Sequence, residues 1–289
     1  MAVLIDRPAW PAHDTLFCHL VSDSSPEELH DLAERVGLPP RAFDRDHYDV
    51  PARLYDSCVA AGAIPTDSRT LVVALRRSGL RRPKAVVQAE NQALRAQLLG
   101  RWPLPQAPGV AKDLLDRWGA LGRYSRDLRR LEERLTALRS LQCDDLLVTL
   151  AVWYHDAVFE GRRGADEDES AQLAEHQLAG LVSDDQRAEV VRLVRTTIMH
   201  NPEPGDWRAE HVCDVDLAVL AAPPDRYDEY RRQVRRDYAE VPLDRYREGR
   251  LAVLNHLASL DPLFHTARAR EHWTPAARAN IARDRAMLN

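Results

Sequence analysis

An imidazole and a carboxylate stand side by side at His155-Asp156, near the end of a stretch that is apolar on nearly every side, Leu146 to Phe159. A helix apolar all round belongs inside a protein, packed by others. A His and an Asp leaving such a helix together must be paired, hydrogen-bonded or bound to metal, because an unpaired buried polar group is costly. Further along, Asp214-Val215-Asp216 sets two more carboxylates in an apolar run, and His200 lies between the two motifs. These nitrogen and oxygen donors form a ligand set for Mn, Fe, Co, Ni or Zn. An ion held there would lower the pKa of bound water and stabilise charge on a phosphoryl oxygen, which is what phosphoester hydrolysis needs. As a bare dipeptide, His-Asp is more often a satisfied structural pair than a site.

A second concentration of such residues falls early in the chain: Asp6, His13, His19, Asp46, His47 and Asp49. Histidines and carboxylates at this density can make a metal or acid–base site. Asp also caps helices and closes turns, and no pair here has a spacing that selects one metal. The expectation is that these six side chains line one polar pocket.

The elements that must position both groups differ in kind. Val3-Leu4-Ile5 reads as a short buried strand, and Phe43 to Pro51 as an extended segment. Ser25-Pro26-Glu27-Glu28 opens a helix, with Ser25 as cap and Glu28 completing a capping box. Helical patterns follow around Arg53–Ala61 and Ser68–Ser78. After residue 110 only helical periodicity remains, including a helix expected to start at Pro275. The reading is a mostly α protein: a small α/β domain over 1–80, a connector over 81–109 made of a helix and a Pro-rich segment, and an all-α domain over 110–289. Asp144 and Asp145 are placed to cap the apolar helix.

Composition narrows the function classes. A net charge of −5 gives no global pull towards nucleic acid or an anionic membrane. The longest nearly apolar run, Leu146 to Tyr154, is too short to span a bilayer, and no signal-peptide pattern opens the chain. Cys18, Cys58, Cys143 and Cys213 lack metal-type spacing. The expected compartment is the cytoplasm, with reduced thiols.

Two resemblances add to this. Leu4-Ile5-Asp6-x-Pro8-x-Trp10-Pro11-x-His13, His19-Leu20-Val21-Ser22-Asp23 and Asp46-His47-Tyr48-Asp49-Val50-Pro51 resemble a bacterial family catalogued as a domain of unknown function, which implies no chemistry. Leu150 to Phe159, Glu167 with Ser170-Ala171, Thr197-Ile198-Met199-His200 and Asp214 to Leu220 resemble the HD superfamily of metal-dependent phosphohydrolases. That resemblance implies an HD-type helical bundle and a divalent ion held by His155, Asp156 and Asp216, with Asp214 as the lesser alternative. His200 would handle a proton or a substrate phosphate, and the substrate would be a small phosphorylated molecule or nucleotide.

One departure stands out. The related branch carries Tyr-His-x-x-x-His upstream, its first His being a metal ligand, whereas here Tyr124-Ser125-Arg126-Asp127-Leu128-Arg129-Arg130 puts Arg126 and Arg130 at those places. Arginine has no lone pair for a metal. Three readings stay open: a hydrolase with a rebuilt metal site, a degenerate domain whose Arg126 and Arg130 bind an anion or that serves as a scaffold without a metal, or arginines that are simply solvated.

Overall fold

Successive side chains of a β-strand point to opposite faces, and that alternation sorts the N-terminal sheet into a dry face and a half-polar one. In the computed structural model, which describes residues 2–44, 46–81, 84–162 and 164–288, the strands are β1 (Val3–Ile5), β2 (Trp10–Ala12), β3 (Thr15–Ser22), β4 (Phe43–Asp44), β5 (His47–Pro51) and β6 (Ile64–Pro65). Their order is β4-β5-β3-β1-β6, with β2 also on β3. β1 runs parallel to β6 and antiparallel to β3, which pairs antiparallel with β5. Cys18 and Leu20 of β3 and Tyr48 and Val50 of β5 bury one face, under Leu29, Leu32 and Ala33 of α1 (Pro26–Arg35) and Cys58 of α2 (Tyr55–Ala60). On the opposite face Val21 packs with Leu71 and Leu75 of α3 (Ser68–Arg77).

The helix start at Pro26 forms as the sequence reads, with the Glu28 amide donating to Ser25 Oγ at 3.4 Å. The reciprocal half of the capping box does not form, because the Glu28 carboxylate instead accepts from Ser22 Oγ and Ser24 Oγ, each at 2.5 Å.

The chain divides into two compact units, Met1–Asn91 and Gln92–Asn289. A single helix, α4 (Lys84–Leu99), crosses that boundary, and Leu98, Trp102 and Leu104 are buried in the helical core. The Pro-rich stretch is therefore packed rather than an extended spacer.

The second unit continues with α5 (Pro108–Trp118), α6 (Leu128–Ser140), α7 (Leu146–Tyr154), α8 (Ala165–Gln177), α9 (Asp184–Thr196), α10 (Trp207–Leu217), α11 (Pro224–Asp237), α12 (Leu243–Ser259) and α13 (Ala267–Leu288). No strand follows β6 among the described residues. The molecule is mostly α, with a small sheet-containing unit ahead of a helical one. α7 is the axis of the second unit: Leu147, Val148 and Leu150 to Tyr154 are all buried. Asp145 caps it, accepting from the Leu147 and Val148 amides at 2.9 and 3.0 Å.

Two helices extend beyond their sequence signals. Asp214 and Asp216 lie on α10, a full helix. α13 begins at Ala267 with Pro275 inside it. Pro at a first turn is a common helix start, but here burial of Ala269 and Ala277 on both sides of the proline holds the longer helix despite one lost hydrogen bond. No helix among the described residues is long and apolar enough to cross a membrane.

Candidate functional site

The C-terminal end of α7 delivers His155 and Asp156 together, both buried, into the middle of the helical unit. His155 Nδ1 lies 2.9 Å from the Val152 carbonyl, a contact that makes Nδ1 the proton carrier and turns Nε2 inward. Nε2 stands 3.4 Å from both Asp156 Oδ2 and Asp216 Oδ1. α10 brings in Asp216, whose Oδ2 is 2.7 Å from His200 Nε2. His200 follows α9 at a φ of 51°, a conformation that is unusual for a residue with a side chain. His155, Asp156 and Asp216 each offer a ligand atom, and the three atoms lie within 4.8 Å of one another. The sequence-derived trio is thus assembled, with His200 at its edge.

Three arginines enter the same space from α6 and the turn before it. Arg126 Nε donates to Asp156 Oδ1 at 3.0 Å, and its guanidinium lies 4.4 Å over the Phe159 ring. Arg130 donates to the main-chain carbonyl of Asp216 at 2.6 Å. Arg134 goes deepest: one terminal nitrogen reaches Asp156 Oδ2 at 2.7 Å and also pairs with Asp216 Oδ1. Only 3% of Arg130 and of Arg134 is exposed. Arg134 escaped the sequence reading, although its spacing of four from Arg130 puts both on one helix face.

Further residues set the α6 approach. The Asp237 carboxylate accepts from the Tyr124 and Ser125 amides at 2.8 and 3.0 Å. Asp127 is the α6 N-cap and accepts from the Arg130 amide at 2.9 Å. Arg123 donates to the Arg117 carbonyl in the last turn of α5 and to the Asp156 and Ala157 carbonyls just past α7, tying the two helix ends together. Burial pushes its guanidinium down to about 10.

The charges hold one another. Burial alone would raise the Asp156 carboxyl, yet Arg126, Arg134 and His155 outweigh it and keep it well below the usual carboxylate range. Asp216 behaves likewise: burial opposes ionisation, and Arg134, His155 and His200 overcome it. Burial and Arg134 depress the His155 imidazole, but the two carboxylates prevail and hold it above its ordinary value. Asp214 does not join the group. Its carboxylate accepts from the His265 and Thr266 amides at 2.7 and 2.8 Å, and burial raises its pKa. On a helix, residues two apart face different directions, so Asp214 braces the turn before α13 while Asp216 faces the cluster.

A pocket of about 440 Å³ opens over this cluster. Arg126, Arg130, Arg134, Asp156, Asp216 and His200 line its charged end. Phe159, Tyr230, Tyr238, Tyr246, Val234 and Leu257 give the rest an aromatic and apolar wall, which Arg162, Asp166, Glu167, Arg245 and Arg250 interrupt. An anion with an apolar or planar appendage matches such a lining.

The N-terminal unit carries a second cluster, set by the polar side of strand alternation. His19 of β3 lies directly opposite Asp49 of β5, and His47 is two residues from Asp49 on the same strand face. Asp6, just past β1 and fully buried, accepts from the His19 amide at 2.7 Å and from Ser68 Oγ at 2.6 Å, and contacts His19 Nδ1 at 3.1 Å. Asp46 Oδ1 is 2.8 Å from His47 Nδ1, and its other oxygen faces Arg81 Nε at 3.3 Å. His47 Nε2 is 3.4 Å from Asp49 Oδ1. Asp6, His19, Asp46, His47 and Asp49 therefore come together. His13 does not: it sits exposed in the β2–β3 turn at a φ of 47°, edge-on to Phe17.

Residues 3–78 match a family described as "Protein of unknown function (DUF4031)", so the match covers the whole of this second cluster. No curated protein and no solved structure matches the chain.

Proposed function

We propose that the helical unit binds a phosphorylated small molecule of nucleotide size through its arginine-lined pocket, without a metal ion and without hydrolysing it. The observation that carries this reading is Arg134, whose buried guanidinium already bridges Asp156 and Asp216. The donor set His155, Asp156 and Asp216 would by itself fit a borderline divalent ion. Its surroundings do not. Two unit charges 4 Å apart repel by about 4 kcal/mol at an effective dielectric of about 20, and a divalent ion doubles that against each guanidinium. Arginine stays charged where histidine or lysine would yield a proton.

Arg126 and Arg134 pair with Asp156 and Asp216, while Arg130 donates to the Asp216 main-chain carbonyl and lies 3.7 Å from Glu133. The guanidinium with donors to spare for an anion is that of Arg126. Arg126 spends only Nε on Asp156, and its terminal amino groups make no other hydrogen bond among the described residues. They suit two parallel bonds to a phosphoryl group. Tyr238 adds an aromatic ring to the lining for a planar appendage, while the Phe159 and Tyr230 rings already carry the Arg126 and Arg130 guanidiniums.

The second reading is the metal-dependent phosphohydrolase implied by the resemblance of residues 110–288 to the HD superfamily. It is favoured by the approach of the three ligand atoms to within 4.8 Å. His155, Asp156 and Asp216 would then hold the ion, which would supply an activated water, and His200 would handle a proton.

Calorimetric titration of the full chain with AMP, ribose phosphate and inorganic phosphate, each with and without chelator, separates the readings. The binding reading expects chelator-insensitive binding that weakens at least about tenfold in Arg126→Ala, where a charge-assisted pair worth about 1.5–3 kcal/mol is removed. Metal-dependent phosphoester cleavage that disappears in His155→Ala would replace it with the hydrolase.

A further inference from the structure

We propose that His19, His47 and Asp49 hold a divalent transition-metal ion of the zinc class, with Asp6 and Asp46 as the carboxylates that orient the two imidazoles. This goes beyond the pocket of the helical unit and concerns the other unit.

The three groups converge for reasons written into the sheet. His19 and Asp49 are directly paired across β3 and β5, and His47 is the next residue on the same face. Each offers a ligand atom, and the three atoms lie within 4.8 Å of one another. His47 Nε2 and Asp49 Oδ1 are 3.4 Å apart. With bonds near 2.1 Å, two ligands of a tetrahedral ion must stand about 3.4 Å apart, so that pair needs no rearrangement. His19 closes the remaining gap by a small side-chain movement, and it retains 28% side-chain exposure to make it.

Each histidine has its Nδ1 on a carboxylate of its own, Asp6 for His19 and Asp46 for His47. Carboxylates only accept, so Nδ1 carries the proton in both rings and Nε2 presents its lone pair. Metal-bound histidines have this arrangement, and the outer carboxylate fixes the tautomer and raises ligand basicity. Asp6 is fully committed, receiving a backbone amide, a hydroxyl and the imidazole while fully buried. A single ion pair needs only one imidazole and one carboxylate. Two rings, each oriented from behind by its own carboxylate and both near a third ligand group, make a chelating set.

The donor chemistry selects the ion. Two imidazoles and one carboxylate suit Zn²⁺, Co²⁺, Ni²⁺ or Fe²⁺ and do not suit Ca²⁺ or Mg²⁺, which take oxygen ligands. Three protein ligands leave a tetrahedral ion one position for water or substrate, as in catalytic rather than structural zinc sites. Asp49 and the neighbouring Trp10 are both exposed, so that position faces solvent.

The test is metal analysis of the untagged full chain, purified without chelator, joined to titration with Co²⁺ followed by its visible absorption. Elemental analysis and the cobalt spectrum should give about one ion per chain, with the intense bands of tetrahedral coordination. His47→Ala and Asp49→Ala should abolish binding, while His13→Ala and His155→Ala should retain it. Asp6→Asn and Asp46→Asn keep all three ligands but should weaken affinity about 10–100-fold, an effect that loss of a ligand would exceed. Circular dichroism on each variant confirms that it is folded. The proposal is overturned if the folded wild type takes up no stoichiometric metal. It is overturned equally if the His19→Ala/His47→Ala double variant binds as the wild type does, or if His155→Ala is the variant that loses the ion. The last outcome would move the metal to the helical unit and revive the hydrolase reading there, which keeps the two failures distinct.

Discussion

At the scale of single residues, Arg134 decides what the helical pocket is. A buried ion pair contributes little net stability, but removing one partner leaves an uncompensated charge and costs about 3–5 kcal/mol. Arg134→Met, close in size and uncharged, strips the shared counter-ion from both Asp156 and Asp216. Urea unfolding should register a loss of about that size, and a loss under about 1 kcal/mol would mean that the guanidinium is not their partner. The same cluster sets a pH optimum. Asp156 and Asp216 lie well below the value of about 3.9 for free carboxyls, so their stabilisation is present above that pH and is lost as pH falls through their folded values. His155 is held above its ordinary value, so its contribution is complete below about pH 6.5 and is lost as pH rises through the folded value. The helical unit should therefore be most stable between about pH 4 and 6.5. Unfolding free energies measured across pH should decline on both sides, and His155→Gln should flatten the alkaline limb while the acid limb, still sustained by Arg126 and Arg134, persists at a higher pH.

At the scale of elements, the sequence announces partners better than directions. Leu146 to Tyr154 reads as a buried helix because no polar face interrupts it, and α7 is that helix. His155, Asp156 and Asp216 were legible because polar groups inside apolar runs demand partners. Arg134 was not, since an arginine among leucines on α6 looks like any amphipathic helix until its neighbours are known. The density of histidines and carboxylates pointed to the N-terminal cluster, and strand alternation in β3 and β5 explains why His19, His47 and Asp49 share a face. It could not exclude His13, whose place depends on the turn conformation. Asp214 and Asp216 illustrate direction most sharply, since one α10 segment carries a brace for α13 and a pocket carboxylate. Asp214→Ala should leave two half-buried amides without their acceptor and lower stability by about 1–3 kcal/mol, with affinity for the phosphorylated probes unchanged. Asp216→Asn should alter that affinity. If Asp214→Ala changes affinity as strongly as Asp216→Asn does, the division of labour along α10 is mistaken.

At the scale of the whole chain, two compact units each carry their own core and their own cluster. A ligand that binds only the folded form of one unit stabilises that unit by RT ln(1 + [L]/Kd), about 2.7 kcal/mol at a hundredfold excess over Kd. Metal should act on the transition of the N-terminal unit and the phosphorylated probe on that of the helical unit. Core truncations identify which transition is which. Leu20 is fully buried under α1, and Leu150 is fully buried in α7. Replacing either by Ala costs about 2–5 kcal/mol, and the loss falls on the unit that contains it. Differential scanning calorimetry of the full chain should resolve two transitions, with Leu20→Ala lowering one and Leu150→Ala the other. Zn²⁺ should raise only the Leu20-sensitive transition, and AMP in chelator only the Leu150-sensitive one. If one transition responds to both truncations and both ligands, the units unfold as one and the two clusters are thermodynamically linked, since binding at either then stabilises the fold that carries the other.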